Sequence, residues 1–492
     1  MWFLVILAFA DWIVAPSGGQ FTQVQNALNA AGPGDRILVR DGVYHEQLVF
    51  PASGSPGSPI QIMADSGHAP ILDGTGFVGG NMMLIENRSH LEIDGFEIRN
   101  LSQINDGSAV RILGSGTHIT VRNCHIHHML GMHAMAITVY GTSATALSQI
   151  TIEDNWIHDC EPSQSEAITL NGNVDGFTVS GNTVTDVNNI AIDFIGGETS
   201  INPNPTLVAR NGVCRNNVVR RSRSNYGGGY GAGIYVDGGS DIVIEANDVS
   251  QSDLGIEIGA ENAGTTTRNI IVRNNWVHQN DKAGLVFGGF DMSVGRVEDC
   301  FFVNNTCYLN DTLGEGLGEL WIQWASNNVV RNNIFVGRSG ETIHYSESGN
   351  TANTLDFNLW YATGGQPAWE WRSVHYASYA AFMAGTGQDA NGLFADPLLV
   401  DPNNGDGHLM VGSPAQDSGD PAASPAVSGT VDFDNNPRFI GVLDRGMDEI
   451  FATCMPNVFA QWRSAVSVCG ASVLTVRELV GLINQTCVCP TL

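Results

Sequence analysis

The sequence predicts an all-β solenoid, one chain coiled into stacked turns of short parallel strands, and three observations predict it. An asparagine returns once per turn: Asn155, Asn182, Asn217, Asn247, Asn275, Asn305, Asn333 and Asn358 share one position, at spacings of 27, 35, 30, 28, 30, 28 and 25 residues. The segments around them, such as ITIEDNWIH, IVIEANDVS and IIVRNNWVH, alternate apolar and polar residues and carry no helical spacing. The length variation falls in one loop per unit and spares the strands, because a coil tolerates insertion only there. A propeller or a sandwich needs no asparagine in every unit of about 30 residues.

The elements follow in chain order. Met1 to Ala10 is a short apolar run ending in Ala8-Phe9-Ala10, an A-x-A pattern that fits the end of a secretory signal, so export is expected. Phe21 to Ala30 places Phe21, Val24 and Leu28 at helical spacing and suits a cap over the first open turn. About ten rungs follow from Pro33 to Asn358, with Gly95 and Cys124 filling the asparagine slot in the two earliest units of that series. In each rung the third strand has the form G/A-[ILV]-x-hydrophobic-x, as in AVRIL, AIDFI, GIYVD and GIEIG. Residues 11–450 are thus one body, and 451–492 are a separate small tail in which Cys454, Cys469, Cys487 and Cys489 predict disulfide staples. Within the tail SVLTVRELVGLINQ reads as one amphipathic helix. It resembles the helix of dockerin repeats, yet no calcium loop precedes it.

Composition narrows the function. Fifty acidic residues against 22 basic ones give a formal charge of −28, and Lys282 is the only lysine. No Lys/Arg stripe is available for phosphates, which excludes nucleic acid, and the same sign disfavours an anionic membrane surface. No apolar stretch reaches the ~18 residues of a membrane span. A monomer is expected.

The repeat, with its one asparagine per turn, resembles the right-handed parallel β-helix proteins and their asparagine ladder. AGPGDRILVRDGVYHEQLVF resembles the first turns of secreted polysaccharide-active enzymes of the pectate-lyase-like superfamily. Asp396-Pro397, Ser413-Pro414-Ala415, Asp432, Arg438 and Asp444 to Glu449 resemble their closing segment. The resemblance implies a single-stranded right-handed parallel β-helix acting on a polysaccharide or oligosaccharide.

Outward positions of the third strands form two columns. The first reads Arg111, Thr138, Thr169, Asp193, Tyr235, Glu257, Val286 and Trp321; the second reads Leu113, Tyr140, Asn171, Ile195, Asp237, Gly259, Gly288 and Gln323. Asp193, Asp237 and Glu257 therefore gather on three consecutive rungs, with Glu198 and Glu261 just beyond their strands. Acids that merely keep a sheet soluble would scatter along the whole face. Crowded carboxylates raise one another's pKa or recruit a cation, as an acid/base pair or a calcium site requires. The loop VVRRSRSNYGGGYGAG sets Arg220, Arg221, Arg223, Tyr226 and Tyr230 beside this groove, Lys282 lies two rungs on, and Trp321 lies beyond.

Three functions compete. Hydrolysis uses two carboxyls, and a Cα separation of about 8 Å for Asp237 and Glu257 suits either stereochemical outcome. GIYVDGG and DLGIEIG also resemble the β-helical β-xylosidases, a resemblance that implies Asp237 as nucleophile and Glu257 as acid/base, with no cofactor. β-Elimination would place Ca2+ on Asp193, Asp237 and Glu257 and use Lys282 or Arg223 as base. A non-catalytic, glycan-binding surface solenoid is the third. Hydrolysis is preferred, because no segment matches the lyases' catalytic strands and a negative chain steers anionic polymers poorly. CHIHHMLGMH offers Cys124, His127, His128 and His133 to a transition metal, but Cys124 lies in the ladder turn and His125 and His127 alternate like strand residues. Cys214, Cys300 and Cys307 fall on inward positions and read as core. Gly227-Gly228-Gly229 precedes no helix and is no phosphate cradle.

Overall fold

A computed structural model describes residues 10–450, and the expected signal run and cysteine-rich tail lie outside them. The sheet pairings between successive turns are parallel and in register apart from shifts at Met129–Gly131 and Thr342–His344, so each strand lies one rung from its counterpart in the next turn. Three long sheets result. The first, of 16 strands, runs from Asp11–Val14 to Thr354–Asp356. The second runs from Gly42–Tyr44 to Leu393–Phe394, and the third from Leu48–Val49 to Val374–Tyr376, with 13 strands each. The count of turns is thus about 13 rather than ten. Turns before Gly95 carry no slot asparagine, and the last lies past Asn358, so counting asparagines missed both ends.

Inward residues of all three sheets fill one continuous apolar core, from Val14 to Phe382. Cys124, Cys160, Cys214, Cys300 and Cys307 are free thiols buried in the body, as inward positions predict for the last three. The N-terminal cap is the helix Val24–Ala30, which buries Val24, Ala27 and Leu28. The opposite end holds a helix that the sequence reading did not anticipate, Tyr379–Thr386. Ser378 accepts the Ala381 N–H at its start, Gly387 ends it in the left-handed region (φ 69°), and Phe382 seals the core among Trp369, Trp371 and Tyr376. At eight residues it is too short for periodicity to reveal.

Each ladder asparagine is buried and hydrogen-bonded to both neighbours. Asn247 Nδ2 donates to Asn275 Oδ1 at 3.0 Å and to the Cys214 carbonyl at 3.1 Å, while its own Oδ1 accepts Asn217 Nδ2 and the Asn217 backbone N–H, each at 3.0 Å. The series starts where the Cys124 N–H donates to Asn155 (3.0 Å) and ends where Asn358 donates to Asp389. Two further ladders appear. One runs Ser252, Asn280, Asn310 to Glu319, and the other Cys300, Asn328, Asn353. Asp389 and Glu319 terminate their ladders as buried acceptors, and burial pushes their pKa values up to about 6 and about 8. The Ser252–Glu319 ladder sits at the corner that feeds the third sheet and fixes where those strands begin.

The closing segment latches onto the last turns. Arg445 donates to the carbonyls of Asn358 (2.8 Å), Asn391 (3.0 Å) and Ser418 (2.8 Å), and the fully buried Arg438 binds the Gly446 carbonyl. Replacing Asn247 by Ala removes two buried donors and strands Asn217. At ~1–3 kcal/mol per buried unsatisfied group, the expected loss is ~2–5 kcal/mol in denaturant unfolding.

Candidate active site on the third sheet

The register places the first outward column as the alternation predicts: Arg111, Thr138, Thr169, Asp193, Tyr235, Glu257, Val286 and Trp321 are successive Cα partners. Rungs lie about 4.8 Å apart, so Asp193 and Glu257 flank Tyr235 across roughly 10 Å of Cα distance. Asp237 closes the Tyr235 strand, and its partner is Gly259. Gly259 is required here, since a Cβ would meet the Tyr235 hydroxyl at 2.6 Å. The Tyr235 ring thus lies along the sheet with its hydroxyl 3.4 Å from Glu261.

The acids are far less exposed than outward residues usually are. Asp193 is 2% and Asp237 6% exposed, and Glu257 is half-buried. Asp193 Oδ1 accepts the N–H groups of Phe194 (2.6 Å) and Asp237 (3.3 Å). Asp237 Oδ1 accepts the Glu261 N–H at 2.5 Å. Asn171 Nδ2 donates to Glu198 at 2.7 Å. Burial, then mutual repulsion, hold Asp193, Asp237 and Glu257 well above the ordinary carboxylate range. Glu261 is raised by desolvation, partly offset by the Tyr235 hydroxyl. The Asp237 and Glu257 environments differ, and Asp237 also feels the Glu198 and Glu166 charges, which raise it further. The Glu261 N–H stabilises the Asp237 anion, whereas every influence on Glu257 favours its protonated form.

Sequence reasoning missed Glu166. It precedes the strand Ile168–Gly172 and is 8% exposed. Desolvation pushes its pKa up to about 8, with Glu198 and Glu261 adding to the shift. The available signal was its place just ahead of AITLN, one rung before Asp193, but a residue in a loop belongs to no column.

The predicted partners divide. Tyr226 and Tyr230 stand exposed on the glycine-rich loop, whose neck is pinched by Asp253 Oδ2 accepting both the Ser224 (2.7 Å) and Gly231 (2.8 Å) N–H groups. Tyr226 lies near enough to the Glu166 carboxyl to feel its charge. Lys282 is buried, bonded to Glu315 at 2.7 and 2.8 Å and 4.2 Å from the Tyr230 ring centre. Burial pulls its pKa down, but Glu315 outweighs this and the net shift is upward. Arg221 pairs with Asp186 (2.6 Å) of the second sheet, and Arg223 pairs with Asp281 (2.6 Å) in the turn that leads into the third-sheet strand Ala283–Phe287. Arg220 pairs with Asp248 at 2.7 Å. Trp321 lies partly buried on the groove floor against the apolar patch of Tyr235, Leu254 and Val286. Beside the acids, a depression of about 590 Å³ opens between Gly197–Thr199 and Asn262–Thr266, with Arg268 at its edge.

His125, His127 and His128 sit on the second sheet, away from this groove, and His133 lies in the turn that enters the third-sheet strand Ala134–Gly141. Cys124 is buried, His127 contacts His128 and Glu97, and His133 bonds Ser165. Among the described residues, the metal-capable trio whose ligand atoms lie within 4.8 Å of one another is His408, Asp434 and Asp448, in the closing segment.

Residues 17–312 match the Pel9A-like right-handed β-helix region. The chain belongs to this family. The Pel9A-like chain is 33% identical to the Bacillus subtilis (strain 168) protein YwoF over 416 residues, covering 80% of this chain and 88% of that one. Among solved structures it is similar to a GH136 lacto-N-biosidase from Eubacterium ramulus (12% identity, TM-score 0.50, 78% of this chain and 66% of that chain). It is also similar to pectate lyase Pel9A (16% identity, TM-score 0.47, 90% and 97%). At these identities the structural likeness is one of fold, the parallel β-helix. No described helix of the Pel9A-like chain is long and apolar enough to cross a membrane.

The raised groove carboxyls give a pH prediction. Each holds its proton more tightly folded than unfolded, so the stability they contribute is greatest at low pH and is lost as pH rises through the folded pKa. Between about pH 4.5, where Glu166 of the unfolded chain ionises, and about pH 8, where the folded group does, the melting temperature should fall. Glu166→Gln should flatten that slope and raise Tm at pH 8 by several degrees in thermal scans.

Proposed function

We propose that this protein is an exported glycoside hydrolase that cleaves a polysaccharide or oligosaccharide with Asp237 and Glu257. One observation carries the reading. Two raised carboxyls stand on adjacent rungs, and only one of them has a hydrogen bond that favours its anion. The Glu261 N–H favours the Asp237 carboxylate, the form a nucleophile or base requires, and burial and like charge favour the protonated Glu257 that a general acid requires. Glu257 then donates that proton to the leaving oxygen. Asp237 acts as nucleophile or as base toward water. Asp193 sets the local charge and accepts the Asp237 N–H. Tyr235 and Glu261 steady the pair through their own contact, and the exposed Tyr226 and Tyr230 offer ring faces to sugars.

Family membership favours a second reading, β-elimination on a uronate polymer. Asp193, Asp237 and Glu257 would hold Ca2+, which would neutralise the uronate carboxylate, and the dense set of buried acids fits such a cation in charge. Lys282 and Arg223, the candidate bases, are both ion-paired and their pKa values are raised, which weighs against proton abstraction by either.

A polysaccharide panel assayed with and without EDTA separates the readings. Reducing ends without ultraviolet-absorbing unsaturated products, unaffected by chelator, are expected. Unsaturated products abolished by EDTA would establish elimination, and no cleavage across the panel would leave the glycan-binding solenoid. Glu257→Gln and Asp237→Asn should each lower turnover by ~10²–10⁴-fold. Aryl glycosides with good leaving groups should restore the Glu257→Gln variant, since they need no general acid. Lys282→Ala should cost far less than either.

A further inference from the structure

The groove does not stop at the acids. Past Val286 the first column continues as Trp321 and then Tyr345, Cα partners on adjacent rungs, both partly exposed. The second column continues beside them as Gln323 and, one rung on, Glu347, since Ile322 pairs with Ser346. Gln323 is 3% exposed, yet its Oε1 has no hydrogen-bond partner among the described residues. A buried amide oxygen left unpaired costs ~1–3 kcal/mol, a cost that a ligand hydroxyl would remove. The Trp321 indole N–H makes no hydrogen bond of full geometry and faces the Glu347 carboxyl. The far side of the groove matches: Asn171, one rung before Asp193 and 2% exposed, also has an unpartnered Oδ1. Orphaned acceptors thus bracket the acid pair at both ends of one straight column.

Resting on the hydrolase reading, we propose that Trp321, Tyr345 and Gln323 form a distal sugar-binding subsite, and that the protein acts within extended glycan chains rather than on short glycosides. The subsite lies two to three rungs from Glu257, about 10–14 Å along the coil axis. That distance separates non-adjacent rings of one chain. The rings of Trp321 and Tyr345 supply apolar faces for pyranose C–H groups, and Gln323 Oε1 accepts a hydroxyl. An apolar platform carrying neutral hydrogen-bonding groups suits an uncharged ring at this position. Glu347 beside it would repel a uronate.

The test compares chain lengths. On size-graded xylo-oligosaccharides and β-1,4-linked gluco-oligosaccharides, and on aryl disaccharides, the unaltered protein should show kcat/KM rising steeply from disaccharide to hexasaccharide. Trp321→Ala and Tyr345→Ala should lower kcat/KM on the hexasaccharide by about tenfold or more, chiefly through KM, while leaving the aryl disaccharide unchanged. Trp321→Phe, which keeps the fold and a ring face, should retain most of the long-chain advantage. Equal losses on long and short substrates, or no loss on either, would overturn the subsite and leave the hydrolase standing. An unaltered protein that cleaves no glycan of any length in these series or in the panel would overturn the hydrolase itself, and the subsite with it.

Discussion

Parallel, in-register pairing of successive turns is the constraint from which the remaining structure follows, and the buried asparagine column is what holds it. Each ladder asparagine satisfies backbone groups of the neighbouring turns as well as the next side chain. A slip of one residue would strand several buried donors at once and turn the apolar face of every strand outward. Because the register cannot slip, a residue's place in one turn determines its neighbours in the next. That is how Asp193, Tyr235 and Glu257 come to stand in line although 64 residues of chain separate the first from the last. The Ser252–Glu319 ladder applies the same constraint at the corner that opens the groove strands.

This rigid base carries a cluster that is electrostatically unfavourable. Glu166, Asp193, Asp237, Glu257 and Glu261 all hold protons more strongly than free carboxyls do, and the nearby cations are already engaged, Lys282 with Glu315 and Arg223 with Asp281. A fold optimised for stability alone would not bury so many acids together. The stacked turns absorb that cost because each rung is hydrogen-bonded above and below. The glycine-rich loop pinned by Asp253 adds exposed tyrosines without adding charge.

Much of this was legible in the chain. The solenoid, its asparagine column, the outward columns and the three central acids followed from spacing and alternation, since a strand's side chains alternate strictly and a coil repeats its turn. Loops and ends were not legible in the same way. Glu166 lies just outside a strand, the helix Tyr379–Thr386 is shorter than its periodicity can show, and the first turns lack the asparagine that marks the others. The arginines of the long loop were expected beside the groove, but strand Val218–Ser222 belongs to the second sheet, and acids there claim Arg220 and Arg221.

By itself the sequence determined the all-β coil, its register and the identity of the acidic rungs, because these depend on period and hydrogen-bonding capacity, which are local and repeated properties. Only the tertiary structure decided how those acids differ. Whether a carboxyl meets a backbone N–H, as Asp237 does, or meets only burial and like charge, as Glu257 does, depends on loops converging from several turns. Burial and charge at a point are sums over everything nearby in space, and the one-dimensional repeat contains no record of that sum.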